Sequence, residues 1–297
     1  MTHDLSTTPD PDPHHAGAPD DRLDGLDPAF VFDFVAYDDL DETRQRWSTW
    51  LSVEPLCRGP EPRPDWLVTS QAALDTELGI LKTGKEADVF LLERGVPDDG
   101  PSVVMAAKRY RSAEHTSFHR SAVYAEGRRV RNTRDTRAMQ RKTAHGRAVA
   151  AGQWAWAEWS SLVRLWSLGL PVPYPVQIDG TELLMEWISV AGETAPRLSE
   201  TRPSPALLAS YFEQLSDVIA TMAQHGLVHG DLSAYNVLAA GERLVVIDLP
   251  QVVDLVANPL GTDFLLRDCT NICRWFRSRG LEVDEHDLFS EVLAHAF

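Results

Sequence analysis

Three side chains in the second half of the chain have the types and spacing to hold a metal–nucleotide complex. Asp231, Asn236 and Asp248 stand in the segments LVHGDLSAYNVL (227–238) and VVIDLP (245–250). An aspartate and asparagine in the pattern D-x-x-x-x-N suit a loop that turns back on itself. One side chain then faces an acceptor oxygen while the other reaches a divalent cation. Asp248 ends the apolar run Leu244-Val245-Val246-Ile247, so it would sit at a strand end and offer another hard oxygen ligand for Mg2+. Either segment alone reads equally well as a turn or as a buried strand with a capping aspartate. Both together, in this order and at this distance, point to phosphoryl transfer.

A nucleotide also needs a phosphate-holding turn and a positioning lysine, and the first half of the chain offers both. The segment LKTGKEADVF (81–90) carries the hydroxyl of Thr83, the flexible Gly84, Lys85 and a set of backbone N–H groups between two strand-like runs. Such a loop can approach phosphates closely, although an ordinary hairpin turn has the same composition. It is neither G-x-x-x-x-G-K-[ST] nor a full G-x-G-x-x-G. Lys108 ends the apolar run Val103-Val104-Met105-Ala106-Ala107. Inside a cleft its ammonium would meet the α- and β-phosphates, and Glu158 on the following helix is the carboxylate best placed to hold it.

The elements that must position these residues can be read from periodicity and punctuation. Residues 40–52 carry Trp47, Trp50 and Leu51 at helical spacing after a candidate N-cap, Asp41, which predicts a short helix. Pro55 to Pro64 forms a proline-rich connector. Strand patterns at 78–82, 87–93 and 103–109 predict an antiparallel meander. A long helix follows at 147–168, then two strands around the turn Asp179-Gly180. Ser204-Pro205 opens a helix that Gly226 ends; others run from about Thr262 to Ser278 and from about Asp284. The order is small sheet, helix, sheet, then mostly helices.

Composition removes several classes. The chain has 297 residues, 43% of them hydrophobic, enough for one bilobal catalytic unit or two small domains. Net charge is −16, and residues 1–30 hold seven Asp against one Arg, too few apolar side chains to offset the entropy of ordering. That segment reads as a disordered acidic tail and lacks the pattern of a secretory signal. No apolar run approaches the length of a membrane span, so the protein is expected to be soluble and cytoplasmic, with no membrane partner. Three cysteines, two of them four apart on one helix face, read as small buried hydrophobes rather than a zinc set or a thiol enzyme.

The motifs together resemble those of the RIO-type atypical serine/threonine kinases, specifically the bacterial members of that family. TGKEADVF resembles the family's nucleotide loop, AAKRY its lysine strand, and WAEWSSLVRL its helix with the partner glutamate. LLMEWI is similar to its hinge, HGDLSAYN to its catalytic loop, and VVIDLPQ to its metal-binding loop. DFLLRDCTNICRWF resembles the helix that follows, and the likeness spans roughly 70–277. It implies an α+β, protein-kinase-like bilobal fold, with a small antiparallel sheet and one long helix in the N-lobe and a mostly helical C-lobe. The expected divisions are a tail at 1–39, a helix and connector at 40–65, an N-lobe at 66–187 with a basic flexible loop at 111–147, and a C-lobe at 188–297.

The resemblance also implies roles. ATP with Mg2+, or Mn2+ as an alternative, would lie between the lobes, with Lys108 on phosphate and Glu158 orienting it. Asp231 would be the base or positioner, and Asn236 and Asp248 would hold metal. Thr83, Gly84, Lys85 and Ser233 would border the phosphates, and Met185, Glu186 and Ile188 the adenine. Asp248 would also be a candidate phosphoaspartate, alongside autophosphorylation on serine. Typical kinases have H-R-D-L-K, whereas here Gly230 replaces the Arg and Ser233 the Lys, so no phosphate-gated activation is expected. About a dozen residues separate Asp248 from the next helix and no A-P-E follows, so the usual peptide platform is expected to be absent.

Residues 108–147 hold twelve Lys/Arg against three Asp/Glu, either a solvated face or an electrostatic footprint for RNA or a ribosomal subunit. The leading expectation is therefore an ATP·Mg-dependent kinase or ATPase acting on ATP and a protein acceptor. A nucleotide-gated RNA or ribosome-assembly factor, and a small-molecule kinase of the aminoglycoside or choline type, are the alternatives.

Overall fold

Alternation along Ser102–Tyr110 decides how the first half of the chain folds. In a strand, successive side chains point to opposite faces. Met105 and Ala107 are fully buried on one face against Trp50, Leu92, Tyr174, Val176 and Leu184. Lys108 and Tyr110 belong to the alternate set, and Tyr110 packs with the core that contains Trp159, Leu162 and Leu165. A computed structural model of the protein describes residues 44–111 and 144–296. The expected acidic tail and the body of the basic loop lie outside the described residues.

The sheet has six antiparallel strands: β1 (Gln45–Trp47), β2 (Leu74–Thr83), β3 (Ala87–Gly95), β4 (Ser102–Tyr110), β5 (Pro175–Asp179) and β6 (Glu182–Glu186). Their spatial order is β1-β2-β3-β4-β6-β5. The expected meander is present as β2–β3–β4. Between β4 and β5 runs α1 (Ala144–Ser167), which lays Ala151, Ala155, Trp159, Leu162 and Leu165 into the core.

The helix expected over 40–52 is not formed where the structure describes it. Residues 45–47 instead pair with β2, matching Gln45 to Thr76 and Trp47 to Leu74. The apolar spacing is misleading because only Trp50 is buried, whereas Trp47 and Leu51 are 66% and 51% exposed. An open sheet edge supplied hydrogen-bond partners that an isolated short helix lacks, so tertiary pairing overrode local pattern. The connector after it is not a free linker. Gly59 donates to the Val176 carbonyl at 2.8 Å and the Tyr174 hydroxyl donates to Pro60 O at 2.9 Å. A Cβ on Gly59 would meet the Pro175 carbonyl at 2.1 Å, so this approach needs glycine.

One side of the sheet also carries a polar row. The buried Arg94 guanidinium donates to both oxygens of Asp75 at 2.7 and 2.9 Å and to Gln177 Oε1 at 2.9 Å. Gln177 in turn donates to Thr49 Oγ1 at 2.7 Å, tying the segment after β1 to β5. Arg109 bridges Glu77 at 2.6 Å and Glu182 at 2.7 Å, and Arg46 also bonds Glu182. Arg109 and Arg111, the latter paired with Asp88, are thus neutralised charges of the basic segment.

The second half is mainly helical. A small hairpin, β7 (Ser189–Val190) with β8 (Glu193–Thr194), precedes α2 (Pro205–Gln224), whose N-cap Ser204 accepts from Leu207 N. Leu208, Tyr211, Leu215, Ile219 and Met222 give α2 its buried stripe. Short pairs β9 (Leu227–Val228) with β12 (Val253–Asp254), and β10 (Val237–Ala240) with β11 (Arg243–Val246), bracket the aspartate segments. Helices α3 (Gly261–Ser278) and α4 (Glu285–His295) complete the core, with Phe212 and Phe276 edge to face at 5.2 Å. Cys57, Cys269 and Cys273 are buried free thiols, pushed up by burial to about 11, 12 and 11, as inert hydrophobes should be. Among the described residues no helix is long and apolar enough to cross a membrane.

The polar row gives a direct test. Arg94→Met leaves the buried Asp75 with only Arg46, 3.8 Å away. Breaking a buried pair from one side costs about 3–5 kcal/mol. Urea unfolding of this variant should show such a loss, and replacing Asp75 by Leu as well should recover much of it. A loss below about 1 kcal/mol in the single variant would mean the row contributes little to stability.

Candidate active site

Lys108 reaches the site because β4 turns it toward α1, opposite Met105 and Ala107. Its ammonium lies 2.8 and 2.7 Å from the two oxygens of Glu158 and 2.8 Å from Asp248 Oδ1. Glu158 is 2% exposed and directly precedes fully buried Trp159, so a helix packed by its tryptophan fixes the carboxylate in depth. The Tyr110 hydroxyl, on the same strand face, donates to Glu158 Oε2, and Leu249 N approaches Oε1 at 3.4 Å. Strand β4 and the loop after β11 thus converge on one buried carboxylate of α1.

The electrostatics follow from that packing. Burial alone would push the Lys108 ammonium down, but Asp248 and Glu158 overcome it and hold the group well above the ordinary lysine range. Lys108 in turn holds Asp248 below the usual carboxylate range. Burial, reinforced by Glu158, pushes Tyr110 well up, so it stays a donor. Asp248 itself adopts φ +66°, a left-handed conformation uncommon for a side-chain-bearing residue, and its side chain is half exposed. That backbone twist ends the β11 run and coincides with the carboxylate's contact to Lys108.

Asp231 and Asn236 are joined by their own loop. Asn236 Nδ2 donates to the Asp231 carbonyl at 2.9 Å, which leaves Asn236 Oδ1 as an acceptor. Ile247 N donates to the Asn236 carbonyl at 2.9 Å, stitching the Asp231 loop to the Asp248 segment. His229 is buried, and burial holds its imidazole below the ordinary histidine range. Its Nδ1 accepts from Asp231 N at 3.3 Å, so Nε2 carries the proton that points at the Ile247 carbonyl, 3.4 Å away.

The remaining expected residues sit at the rim. Thr83, Gly84 and Lys85 form the turn between β2 and β3, where Gly84 N donates to Ala87 O at 3.0 Å. A Cβ on Gly84 would meet that oxygen at 2.7 Å, so the tight turn requires glycine. Met185 and Glu186 end β6. Glu186 does not turn its carboxylate to the cleft; Oε2 accepts from Tyr174 N at 3.1 Å. Ile188 is buried with Ala195 and Val245, joined by partly buried Leu238. Ser233 caps the short 3-10 turn Ala234–Asn236, and its carbonyl accepts from Asn236 N. The hydrogen bonds that unite Lys108, Glu158 and Asp248 do not extend to Thr83, Lys85 or Ser233.

Sequence reasoning missed Asp268. This buried residue on α3 accepts from Gly230 N at 2.8 Å and from Leu232 N at 2.9 Å, gripping the loop on both sides of Asp231. Arg267 bonds the Gly230 carbonyl from the same helix. Gly230 has φ +82°, a region that favours glycine, which explains the absence of the usual arginine there. A signal was available: Asp268 falls within the stripe Phe264, Leu265, Cys269 and Ile272, on the face a carboxylate should avoid.

A lysine–glutamate pair beneath a β-hairpin, met by an aspartate from a C-terminal loop, defines a phosphotransferase of the protein-kinase type. The comparisons with known proteins agree. The RIO domain family model matches residues 98–288. The RIO-type serine/threonine-protein kinase Rio1 of Haloferax volcanii is 35% identical over 219 residues, covering 74% of this chain and 69% of that protein. Its namesake in Methanocaldococcus jannaschii is 30% identical over 216 residues, 72% and 68% of the two chains. The crystal structure of the Rio2 kinase–ADP/Mg2+–phosphoaspartate complex from Chaetomium thermophilum superposes with a TM-score of 0.52 at 21% identity, covering 74% of this chain and 62% of that one. The chain belongs to the RIO family of serine/threonine-protein kinases, and its fold is the α+β bilobal kinase fold expected from the sequence. This family replaces the small-molecule kinase alternative.

Asp268 supports two measurements. Burial pushes its carboxyl up to about 7 despite the two N–H bonds. Its folded value thus lies above the unfolded value of about 3.9. Its contribution to stability is fully present below that unfolded value and is lost as pH rises through about 7. Asp268→Asn does not titrate, so the stability of the wild type relative to this variant should be greater at pH 4 than at pH 8 in urea unfolding. The variant should also lower kcat by about 10- to 100-fold while changing KM for ATP far less, because only loop placement is lost. An equal change in both constants would assign Asp268 to nucleotide binding instead.

Proposed function

We propose that this RIO kinase transfers the γ-phosphoryl group of ATP with Lys108, Asp231, Asn236 and Asp248 as its working residues. The observation that carries the reading is the convergence of Lys108 with Glu158 and Asp248 at 2.7 to 2.8 Å. An ammonium that two carboxylates hold charged despite burial suits contact with α- and β-phosphate oxygens. Glu158 orients it, and Tyr110 fixes Glu158.

The donor set fits Mg2+ held jointly with phosphate. Among the described residues no group of three or more His, Cys, Asp or Glu side chains could hold a metal by themselves. Asn236 and Asp248, on segments joined by the Ile247 N to Asn236 O bond, offer two hard oxygens, the usual protein share where phosphate and water complete the shell. When bound, the ion neutralises charge on the β- and γ-phosphates. Mn2+ has the same ligand preference.

In the transfer step an acceptor oxygen bonds to the γ-phosphorus as the bond to the β,γ-bridging oxygen breaks, releasing ADP. With a serine hydroxyl the proton passes to Asp231, which the Asp268-gripped loop holds half-buried. With Asp248 as the acceptor no proton needs to move, and water then hydrolyses the acyl phosphate, giving net ATPase activity. Half exposure and a lowered pKa keep Asp248 an available nucleophile. The relative of known structure was captured as a phosphoaspartate complex.

The segment after Asp248 favours autophosphorylation over capture of an extended peptide. It is pinned back by β12 pairing with β9, by Leu255 N on Gly226 O at 2.8 Å, and by Asp254 accepting from Val256 N and Ala257 N. A protein acceptor would therefore have to present its own structured site. Association with RNA or a ribosomal subunit rests on the basic segment, whose body lies outside the described residues.

Incubation with γ-labelled ATP and Mg2+ tests the reading. Label should appear on the protein and as free phosphate. Hydroxylamine-sensitive label marks Asp248, and alkali-labile, acid-stable label marks serine. Asp231→Asn and Asp248→Asn should each cut turnover by about 100-fold or more with unfolding midpoints near the wild type. Undiminished turnover in both variants would falsify the assignment.

A further inference from the structure

We propose that Lys82 is a second phosphate-binding cation of the cleft, contacting the terminal phosphate of ATP in place of the lysine that the H-G-D-L-S loop lacks. The inference rests on the nucleotide reading above and adds a residue to it.

Strand register places Lys82. It pairs with Val89 across β2 and β3; Val89 pairs with Lys108 across β3 and β4; Lys108 pairs with Leu183 on β6. Side chains directly opposite one another in antiparallel strands share a face. Lys82 and Lys108 therefore project from the same side of the sheet, two strands apart, which is roughly 10 Å between backbones. Lys108 lies deep, against α1. Lys82 lies at the end of β2, beside the Thr83–Glu86 turn, and so marks the outer end of the same row.

The opposite wall carries a matching charge. Arg197 pairs with Leu238 through a backbone bridge, and its guanidinium bonds the carbonyl of Tyr235, the neighbour of Asn236. Among the described residues Lys82 forms no ion pair, in contrast to Lys108 with its two carboxylates. Burial and repulsion from Arg197 and Lys108 push the Lys82 ammonium down, with Asp248 and Glu200 opposing. Lys82 is itself exposed, so an anion in the cleft can reach it. An exposed lysine on the Lys108 face of the sheet, without a carboxylate of its own, can take an anion as partner, and the end of a triphosphate is that anion.

The catalytic loop explains the need. Position 233, where typical kinases carry a cation for the transferred phosphoryl group, is serine here. Charge developing on the γ-phosphoryl oxygens still requires stabilisation. A lysine from the roof of the cleft supplies it from the opposite side.

Three purified full-length variants test this: Lys82→Gln and Lys82→Arg, checked for an unchanged melting profile, and Lys108→Met, checked for a cooperative melt above the assay temperature. Calorimetry would compare Mg·ADP with a non-hydrolysable Mg·ATP analogue. Lys82→Gln should weaken the ATP analogue by about tenfold and ADP by less than about twofold, because one charge-assisted contact to the third phosphate is lost. Lys82→Arg should stay within about threefold of the wild type for both. Equal losses for the two nucleotides, or no loss for either, would overturn the role at the terminal phosphate. Lys108→Met should weaken both nucleotides. If it bound both as the wild type does, the cleft would not be the nucleotide site, and this inference would fail with that reading.

Discussion

A single ammonium, that of Lys108, makes the two halves of the chain one site. It comes from β4, meets Glu158 from α1, and meets Asp248 from the loop after β11. Taking a lysine out of water is costly, and the cost is met only if carboxylates are delivered to it in good geometry. Each carboxylate depends on separate packing. Glu158 is set by buried Trp159 and its neighbours, whereas Asp248 is set by a left-handed backbone turn at the end of a buried strand. The cleft is therefore only as well defined as the cores above and below it.

The sheet separates stability from chemistry by parity. Odd positions of β4, from Met105 to Arg109, face the layer formed by Trp50, Tyr174 and the ion-paired row of Asp75, Arg94, Glu77 and Glu182. Even positions face the helix and the cleft. A one-residue slip in this strand would exchange Lys108 for Arg109 and dismantle both sides at once. The polar row gives such a slip a cost, since Arg109 is held by two glutamates on two different strands.

The meeting of Lys108 with Glu158 and Asp248 was legible because the spacing carries the geometry. A D-x-x-x-x-N loop followed by an aspartate at a strand end leaves little freedom, and Lys108 at the end of an apolar run had to point into or away from a core. The helix over 40–52 was not legible in the same way, because three apolar residues at helical spacing do not reveal that a sheet edge lies nearby. The direction of the Glu186 carboxylate, claimed by the Tyr174 backbone, is likewise nothing that spacing along the chain could show. Asp268 was missed for a different reason. Its partners are backbone N–H groups, which every residue has, so no second side chain signals the interaction.

Gly230 and Asp268 show how such a loop is built from beneath. A loop that must hold an aspartate rigidly, yet carries neither the arginine nor the lysine of typical kinases, needs another anchor. Helix α3 provides it: two N–H groups bound by one buried carboxylate, and a carbonyl bound by Arg267. These contacts fix the backbone and leave the loop without a cation directed at phosphate. On the proposed reading that charge would come from the sheet above, where Lys108 and Lys82 share a cross-strand row. On the proposed function the C-lobe would supply position and oxygen ligands and the N-lobe the lysines, so closure of the two lobes on a nucleotide is what would complete the electrostatics of transfer.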